Sequence, residues 1–290
     1  MNSKQIYVTK MSGERALFEE EKLRNSLRRS RAEDEVIDKV IEKVKAEIKD
    51  FMSTKEIYRM AFAQLRKNSS HAAARYKLKQ SILELGPTGF PFEDYVSELL
   101  KFKNYRTEVR NLVEGHCVSH EIDIIAQREN RHILVECKFH SDQRRLCDVK
   151  VPLYIHSRFK DVEEELKKKT KHNNTEFVGG LVTNTRFSSD ALKYGLCMGL
   201  YLVSWDYPEG KGLKSLIDQS GLHPLTSLLT ISKHEKQQLL DKRIILCKDL
   251  IGKEKVLKEI QISEPRIKKI ISEVEHLCNR LTELSKNHLS

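Results

Sequence analysis

Asp123 and the triplet Glu136-Cys137-Lys138 lie in two neighbouring strand-like segments, separated by residues 124–135. His120-Glu121-Ile122-Asp123-Ile124-Ile125 and His132-Ile133-Leu134-Val135-Glu136-Cys137-Lys138 are both rich in β-branched residues, and the polar stretch Gln127-Arg128-Glu129-Asn130 lies between them. This pattern predicts an antiparallel hairpin. A turn centred between Glu129 and Asn130 sets Asp123 opposite Glu136, Ile124 opposite Val135 and Ile125 opposite Leu134.

Alternation along a strand then places Glu136 and Lys138 on the face of Asp123, and turns Ile133, Val135 and Cys137 towards a core. Directly opposed carboxylates repel, which offsets the roughly 0.2–1 kcal/mol of a good cross-strand pair. A cation removes that conflict. Mg2+, or Mn2+ in its place, is a hard ion that accepts two carboxylates and a substrate phosphate while keeping several waters. Asp123 and Glu136 are therefore the expected metal ligands, and Lys138 the group that orients the attacking water or stabilises charge growing on a phosphorane. Either carboxylate alone would be an ordinary solvated face of a hairpin; the joint spacing with Lys138 favours a site.

Gly89-Phe90-Pro91-Phe92-Glu93-Asp94-Tyr95, His120-Glu121-Ile122-Asp123 and Val135-Glu136-Cys137-Lys138 together resemble the PD-(D/E)xK nucleases, in particular the Mrr-like restriction endonuclease group. The resemblance runs to about Tyr207 and implies a central mixed sheet flanked by helices, with Asp123, Glu136 and Lys138 as the core of the site. It also implies a further Glu from the preceding helix, the place held by Glu93. That helix is plausible from the residues themselves, since Pro91 suits a first turn and Phe92, Val96, Leu99 and Leu100 form an apolar stripe. Downstream, Phe177 to Asn184 and Gly199 to Trp205 read as strands around a helix from Ser188 to Tyr194.

The stretch from Gln143 to Lys171 is rich in Arg and Lys, including Lys150, Arg158, Lys160 and the run Lys167-Lys168-Lys169. Such residues either track a phosphate backbone or form a solvated helix face.

The N-terminal segment opens with a strand and turn, Ile6-Tyr7-Val8-Thr9-Lys10 and Ser12-Gly13, and then a helix from Phe18 to Leu27 carrying Lys22. Val36, Val40, Ile41, Val44 and Ile48 recur at helical spacing, Ser53-Thr54-Lys55-Glu56 is a capping box, and Ser70 is a cap for a helix running to Leu85. This series, over about Lys4 to Leu85, resembles the ATP-cone, a regulatory nucleotide-binding module. The matching residues are Val8-Thr9-Lys10, Gly13, Phe18, Lys22-Leu23, Ser53-Thr54 and Arg75-Tyr76; Met11 stands where the family commonly has Arg. The resemblance implies ATP or dATP as ligand, with phosphates near Lys10, Lys22 and Thr54 and with Val8 close to the nucleotide.

From Ser232 to Leu289 the pattern is helical, with Ser263-Glu264-Pro265 as a helix start. Leu257 to Leu277 resembles a helix-hairpin-helix unit without its glycine-bearing hairpin, so a packing or dimerisation domain is the plainer reading.

A chain of 290 residues has room for two or three small domains. Its 52 Lys and Arg exceed its 42 Asp and Glu, for a net charge of +10, which favours polyanionic partners. No signal peptide or membrane span is read, and the six scattered cysteines, with no CxxC pair, fit thiols in a reducing cytoplasm.

The resulting expectation is an α/β multidomain chain: an ATP-cone at 1–86, mostly helical; a restriction-endonuclease-like mixed sheet flanked by helices at 87–218; and a helical C-terminal domain at 219–290 for dimerisation or DNA-backbone contact. Its expected activity is that of a Mg2+-dependent DNA endonuclease regulated by ATP or dATP, in restriction or defence against foreign DNA, cytoplasmic and homo-oligomeric. The alternative is a non-catalytic nucleotide-sensing DNA-binding regulator or assembly protein, in which the sheet serves only as a platform.

Overall fold

The computed structural model describes residues 5–10, 12–86, 88–169 and 175–278. Met11, Lys171 and the expected helix beyond Cys278 lie outside the described residues.

At the N-terminal end, β1 (Tyr7–Thr9) pairs antiparallel with β2 (Arg15–Leu17) and parallel with β3 (Met52–Ser53). Between them run α1 (Glu20–Arg29) and α2 (Asp34–Glu47). α1 begins two residues later than Phe18, whose backbone N–H extends the small sheet by donating to Ile6 O. The stripe Ile37, Val40, Ile41 and Val44 of α2 is buried against Leu23, Leu27, Ile57, Ala61 and Leu65. The capping box forms as the sequence predicts: Ser53 Oγ accepts the Glu56 N–H, and Glu56 accepts the Ser53 N–H at 2.9 Å, starting α3 (Thr54–Asn68).

The next cap is Ser69 rather than Ser70. Ser69 is extended, with φ −156°, and its hydroxyl accepts the Ala72 N–H, so Ser70 is already the first residue of α4 (Ser70–Tyr76). The single helix expected to Leu85 is two, because Lys77 separates α4 from α5 (Leu78–Leu83).

α6 (Phe90–Phe102) follows, with Gly89 at φ +85° as its cap and Pro91 in the first turn. Then come β4 (Arg106–Glu114), β5 (Ser119–Arg128), β6 (Arg131–Lys138), a short β7 (Leu146–Cys147), α7 (Lys150–Lys169), β8 (Glu176–Thr183), β9 (Arg186–Phe187), α8 (Ser189–Cys197) and β10 (Tyr201–Val203). The main sheet has the order β10-β8-β6-β5-β4, antiparallel through β4, β5 and β6 and parallel through β6, β8 and β10. Parallel pairing needs a crossover, and α7 and α8 supply the two crossovers. β7 and β9 pair separately.

Both faces of the sheet are covered. Ile124, Ala126, Ile133 and Val135 face Phe92, Tyr95, Val96 and Leu99 of α6, whereas Ile122 and Leu134 meet Phe159 and Val162 of α7. The α6 side continues without a break into α9 (Leu213–Ser220), α10 (Lys233–Asp241), α11 (Glu254–Glu259) and α12 (Glu264–Cys278). Position 219, the expected start of a separate C-terminal domain, falls inside α9, and Ile217, Leu239 and Val274 share one core with the sheet. Ala74, Leu78 and Ile82 of α4 and α5 enter the same core, tying the N-terminal part to the rest.

Candidate active site and nucleotide groove

The β5–β6 register is the one the turn chemistry predicts: Arg128 pairs with Arg131 around Glu129-Asn130, Ile125 with Leu134 and Ile124 with Val135. There the ladder stops. Asp123 and Glu136 are next in line but are not a ladder pair; instead Asp123 Oδ2 accepts the Cys137 N–H at 2.7 Å. The carboxylate thus replaces the missing strand partner and is fixed by the backbone it serves.

Strict alternation, on which the same-face expectation rests, fails at this point. Ile122 and Ile125 both lie on the α7 side although three positions apart, while Ile124 lies on the α6 side. Across β4 the cause is visible: Arg110 has φ +54°, and the β4–β5 ladder skips from Val109↔Ile124 to Asn111↔Ile122, leaving Arg110 and Asp123 facing one another unpaired. A non-glycine residue held at positive φ costs on the order of 1–3 kcal/mol and needs support from its surroundings. Arg110 has that support in ion pairs to Glu93 at 3.1 Å and Asp94 at 2.7 Å.

Glu93, buried on α6, is therefore drawn to the same end of the sheet as Asp123 and Glu136. Burial raises its carboxyl above the usual range, and so does the charge of Asp123, against the pull of Arg110. Burial raises Asp123 too, partly countered by the Cys137 N–H. Glu136 is pushed up to about 7 by burial and by the charge of Asp123, although Arg158 of α7 pairs with it at 2.8 Å. Arg158 also donates to Glu121 O and lies over the ring of Tyr154. Lys138, the last residue of β6, is exposed.

Glu93, Asp123, Glu136 and Lys138 thus occupy one end of the sheet, with Arg110 and Arg158 as counterions. Arg110 had no sequence signal. Arg158 had a weak one, a basic residue on the buried stripe of Ile155, Phe159 and Val162. Lys160 and Lys167 are bound to Glu163, and Lys168 and Lys169 to Glu165, so the described part of the basic run is a helix face laced by its own ion pairs; Lys150 is exposed at the start of α7.

No three Asp, Glu, His or Cys side chains among the described residues stand close enough to enclose a metal by themselves. Mg2+ asks for less, two carboxylates and water, and a cation would oppose both the burial and the charge of Asp123 that lift Glu136. The donor chemistry of Asp123 and Glu136 fits a hard divalent ion on that basis.

A second locus lies on the N-terminal part. Parallel pairing of Val8 with Met52 and Thr9 with Ser53 brings Lys10 beside Thr54. Thr9, Lys10, Ser53 and Thr54 line a groove of about 390 Å3, with Asp142 and Arg144 on its other side. Neither Val8, which is buried, nor Lys22, paired with Glu19 at 2.7 Å, lines the groove. Another cleft, of about 770 Å3, lies between α3 and α4 on one side and α12 on the other, and shares no residue with either locus. All six cysteines are free thiols, and among the described residues no helix is long and apolar enough to cross a membrane.

Comparison with known proteins gives this geometry a family. The model of the ATP cone domain matches residues 6–80, and that of the AF1548-like C-terminal domain matches residues 223–278. An uncharacterized protein of Archaeoglobus fulgidus is 35% identical over 182 residues, which is 62% of this chain and 98% of that protein. The crystal structure titled as the protein of unknown function AF1548 superposes with a TM-score of 0.54 at 31% identity, covering 66% of this chain and 98% of that one. With near-complete coverage of that relative, the chain belongs to the AF1548-like family and carries an ATP cone domain, a nucleotide-binding regulatory module, at its N-terminal end.

Proposed function

We propose that the chain is a divalent-metal-dependent nuclease of the Mrr-like PD-(D/E)xK kind, acting on DNA, whose output is set by ATP or dATP on the cone. The observation that carries this reading is the meeting of Asp123 and Glu136 where the β5–β6 ladder ends, with Glu136 raised to about 7 by burial and by its neighbour. Structural carboxylates are ordinarily placed to avoid one another; two held together in a polar strand end suit a cation.

Asp123 and Glu136 would hold the metal, Glu93 would complete the acidic rim, and the Cys137 N–H keeps Asp123 in one rotamer. A bound Mg2+ supplies Lewis acidity towards a phosphoryl oxygen and lowers the pKa of coordinated water. Lys138 stabilises negative charge developing on the phosphate or orients the water. Arg158 and Arg110 keep the acidic rim from repelling itself when no metal is bound. On the cone, Lys10 and Thr54 would receive nucleotide phosphates, with Val8 close to the nucleotide and Lys22 outside the groove as a longer-range cation. A role in restriction or defence against foreign DNA follows from the resemblance to Mrr-like enzymes.

One observation favours the non-catalytic alternative: Arg158 and Arg110 already neutralise Glu136 and Glu93. Incubation of the purified chain with plasmid DNA, with and without Mg2+ and across ATP and dATP concentrations, separates the two. Metal-dependent nicking or linearisation that responds to nucleotide supports the enzyme, and intact plasmid with retained DNA binding supports the regulator.

A further inference from the structure

The segment that leaves Lys138 runs straight to the cone. Phe139 packs so closely on Gly86, just after α5, that a Cβ at position 86 would force its ring to shift, and that ring lies 5.7 Å from the ring of Phe92. The next residue, His140, is buried and clamped: its N–H donates to Asn184 Oδ1 at 2.8 Å, and Asn184 Nδ2 donates to its carbonyl at 2.8 Å. Beyond this clamp the chain reaches the nucleotide groove, where Asp142 and Arg144 face Lys10 and Thr54. Gln143 touches Gln80 of α5 at 3.4 Å.

Arg144 is exposed and, among the described residues, has Asp142 as its side-chain partner, in a two-pronged contact of Nε to Oδ1 at 3.1 Å and Nη2 to Oδ2 at 2.9 Å. The guanidinium fork binds carboxylate and phosphate with the same geometry, and an exposed ion pair contributes little to stability. Asp142 is thus an exchangeable partner, standing in the groove where a phosphate would.

Resting on the reading of Lys10 and Thr54 as a nucleotide site, we propose that Arg144 is a phosphate-binding residue lent to the cone by the loop that follows Lys138, and that exchange of Asp142 for a nucleotide phosphate transmits nucleotide occupancy to the strand end. Among the described residues the groove is lined by Lys10, Lys55 and Arg144 as cations, Lys10 being paired with Glu14 at 3.0 Å, and by Asp142 as the acidic lining group, which occupancy displaces. The loop from Lys138 to Arg144 is short, and the His140–Asn184 clamp is the contact through which a shift of Arg144 would have to reach Phe139 and Lys138. Linkage makes the effect reciprocal: the state of the strand end alters nucleotide affinity by the same factor.

The test uses the full chain and titration calorimetry with ATP and with dATP. Arg144→Ala is expected to weaken nucleotide binding about tenfold, Arg144→Lys to fall between it and wild type, and Asp142→Asn, which frees the fork and removes a negative charge, to tighten binding. A merely structural Asp142–Arg144 pair would instead make both variants err in the same direction. Lys10→Ala serves as the control for the cone itself. Hydrogen exchange at residues 139–149 should change on adding ATP to wild type and stay unchanged for Arg144→Ala. Wild-type affinity in Arg144→Ala alongside lost binding in Lys10→Ala would overturn the role of Arg144 and leave the cone site standing. Absence of nucleotide binding in the wild type would overturn both.

Discussion

The Arg158 guanidinium of α7 lies 2.8 Å from the Glu136 carboxylate of β6, spanning from crossover helix to sheet at the point where the β5–β6 ladder ends. Both side chains are largely buried, at 14% and 24% exposure, and Arg158 favours the charged form of Glu136 against the burial that opposes it. Arg158→Ala is expected to destabilise the chain by about 1–3 kcal/mol in urea unfolding, by leaving Glu136 without its counterion. It should also tighten Mg2+ or Mn2+ binding, since the competing cation is gone. Calorimetric titration with either metal checks the second half, and unchanged metal affinity would mean that Glu136 is not a ligand.

His223 provides a pH handle remote from the carboxylates. It is buried, its Nδ1 has no hydrogen-bond partner among the described residues, and burial together with Arg75 and Arg31 pushes its pKa down to about 3. An unfolded chain restores the ordinary value near 6.5. Between those values the unfolded state binds the extra proton, so stability falls as pH drops below about 6.5, by up to about 1.4 kcal/mol per pH unit. His223→Leu should remove this part of the slope in urea midpoints measured from pH 7.5 to 4.5. A slope identical to wild type would place the acid sensitivity in other groups.

Local sequence chemistry made the hairpin legible: a polar turn at Glu129-Asn130 between β-branched runs specifies the pairing of Ile124 with Val135, and Ser53 with Glu56 specifies the start of α3. The apolar stripe of α6 was legible for the same reason. What escaped depends on distant partners. The positive φ of Arg110 has no local signature, because it is upheld by Glu93 and Asp94 from another element, and it is this irregularity that breaks the alternation at Asp123. The union of α9 to α12 with the main core was equally hidden, since helical periodicity shows which face is apolar and not what covers it.

DNA binding should be governed by phosphate neutralisation, as the excess of 52 basic over 42 acidic residues implies. With Asp123→Asn protein, affinity for a duplex is expected to fall at least about 40-fold between roughly 50 and 200 mM salt, the decline for three neutralised phosphates. A flat salt response in an anisotropy assay would point to a protein partner instead.

The central claim is that Asp123 and Glu136 form a metal-dependent cleavage site. Asp123→Asn is the sharpest probe, because an amide oxygen can still accept the Cys137 N–H that the native carboxylate takes at 2.7 Å, so the strand end stays satisfied while the charge is removed. The decisive measurement is plasmid cleavage in Mg2+ by wild type and by folded Asp123→Asn protein. The account predicts metal-dependent cleavage by wild type and a loss of at least about 100-fold in the variant, equivalent to about 2.7 kcal/mol of transition-state stabilisation. Equal cleavage by both proteins, or none by wild type at any ATP or dATP concentration, would contradict it.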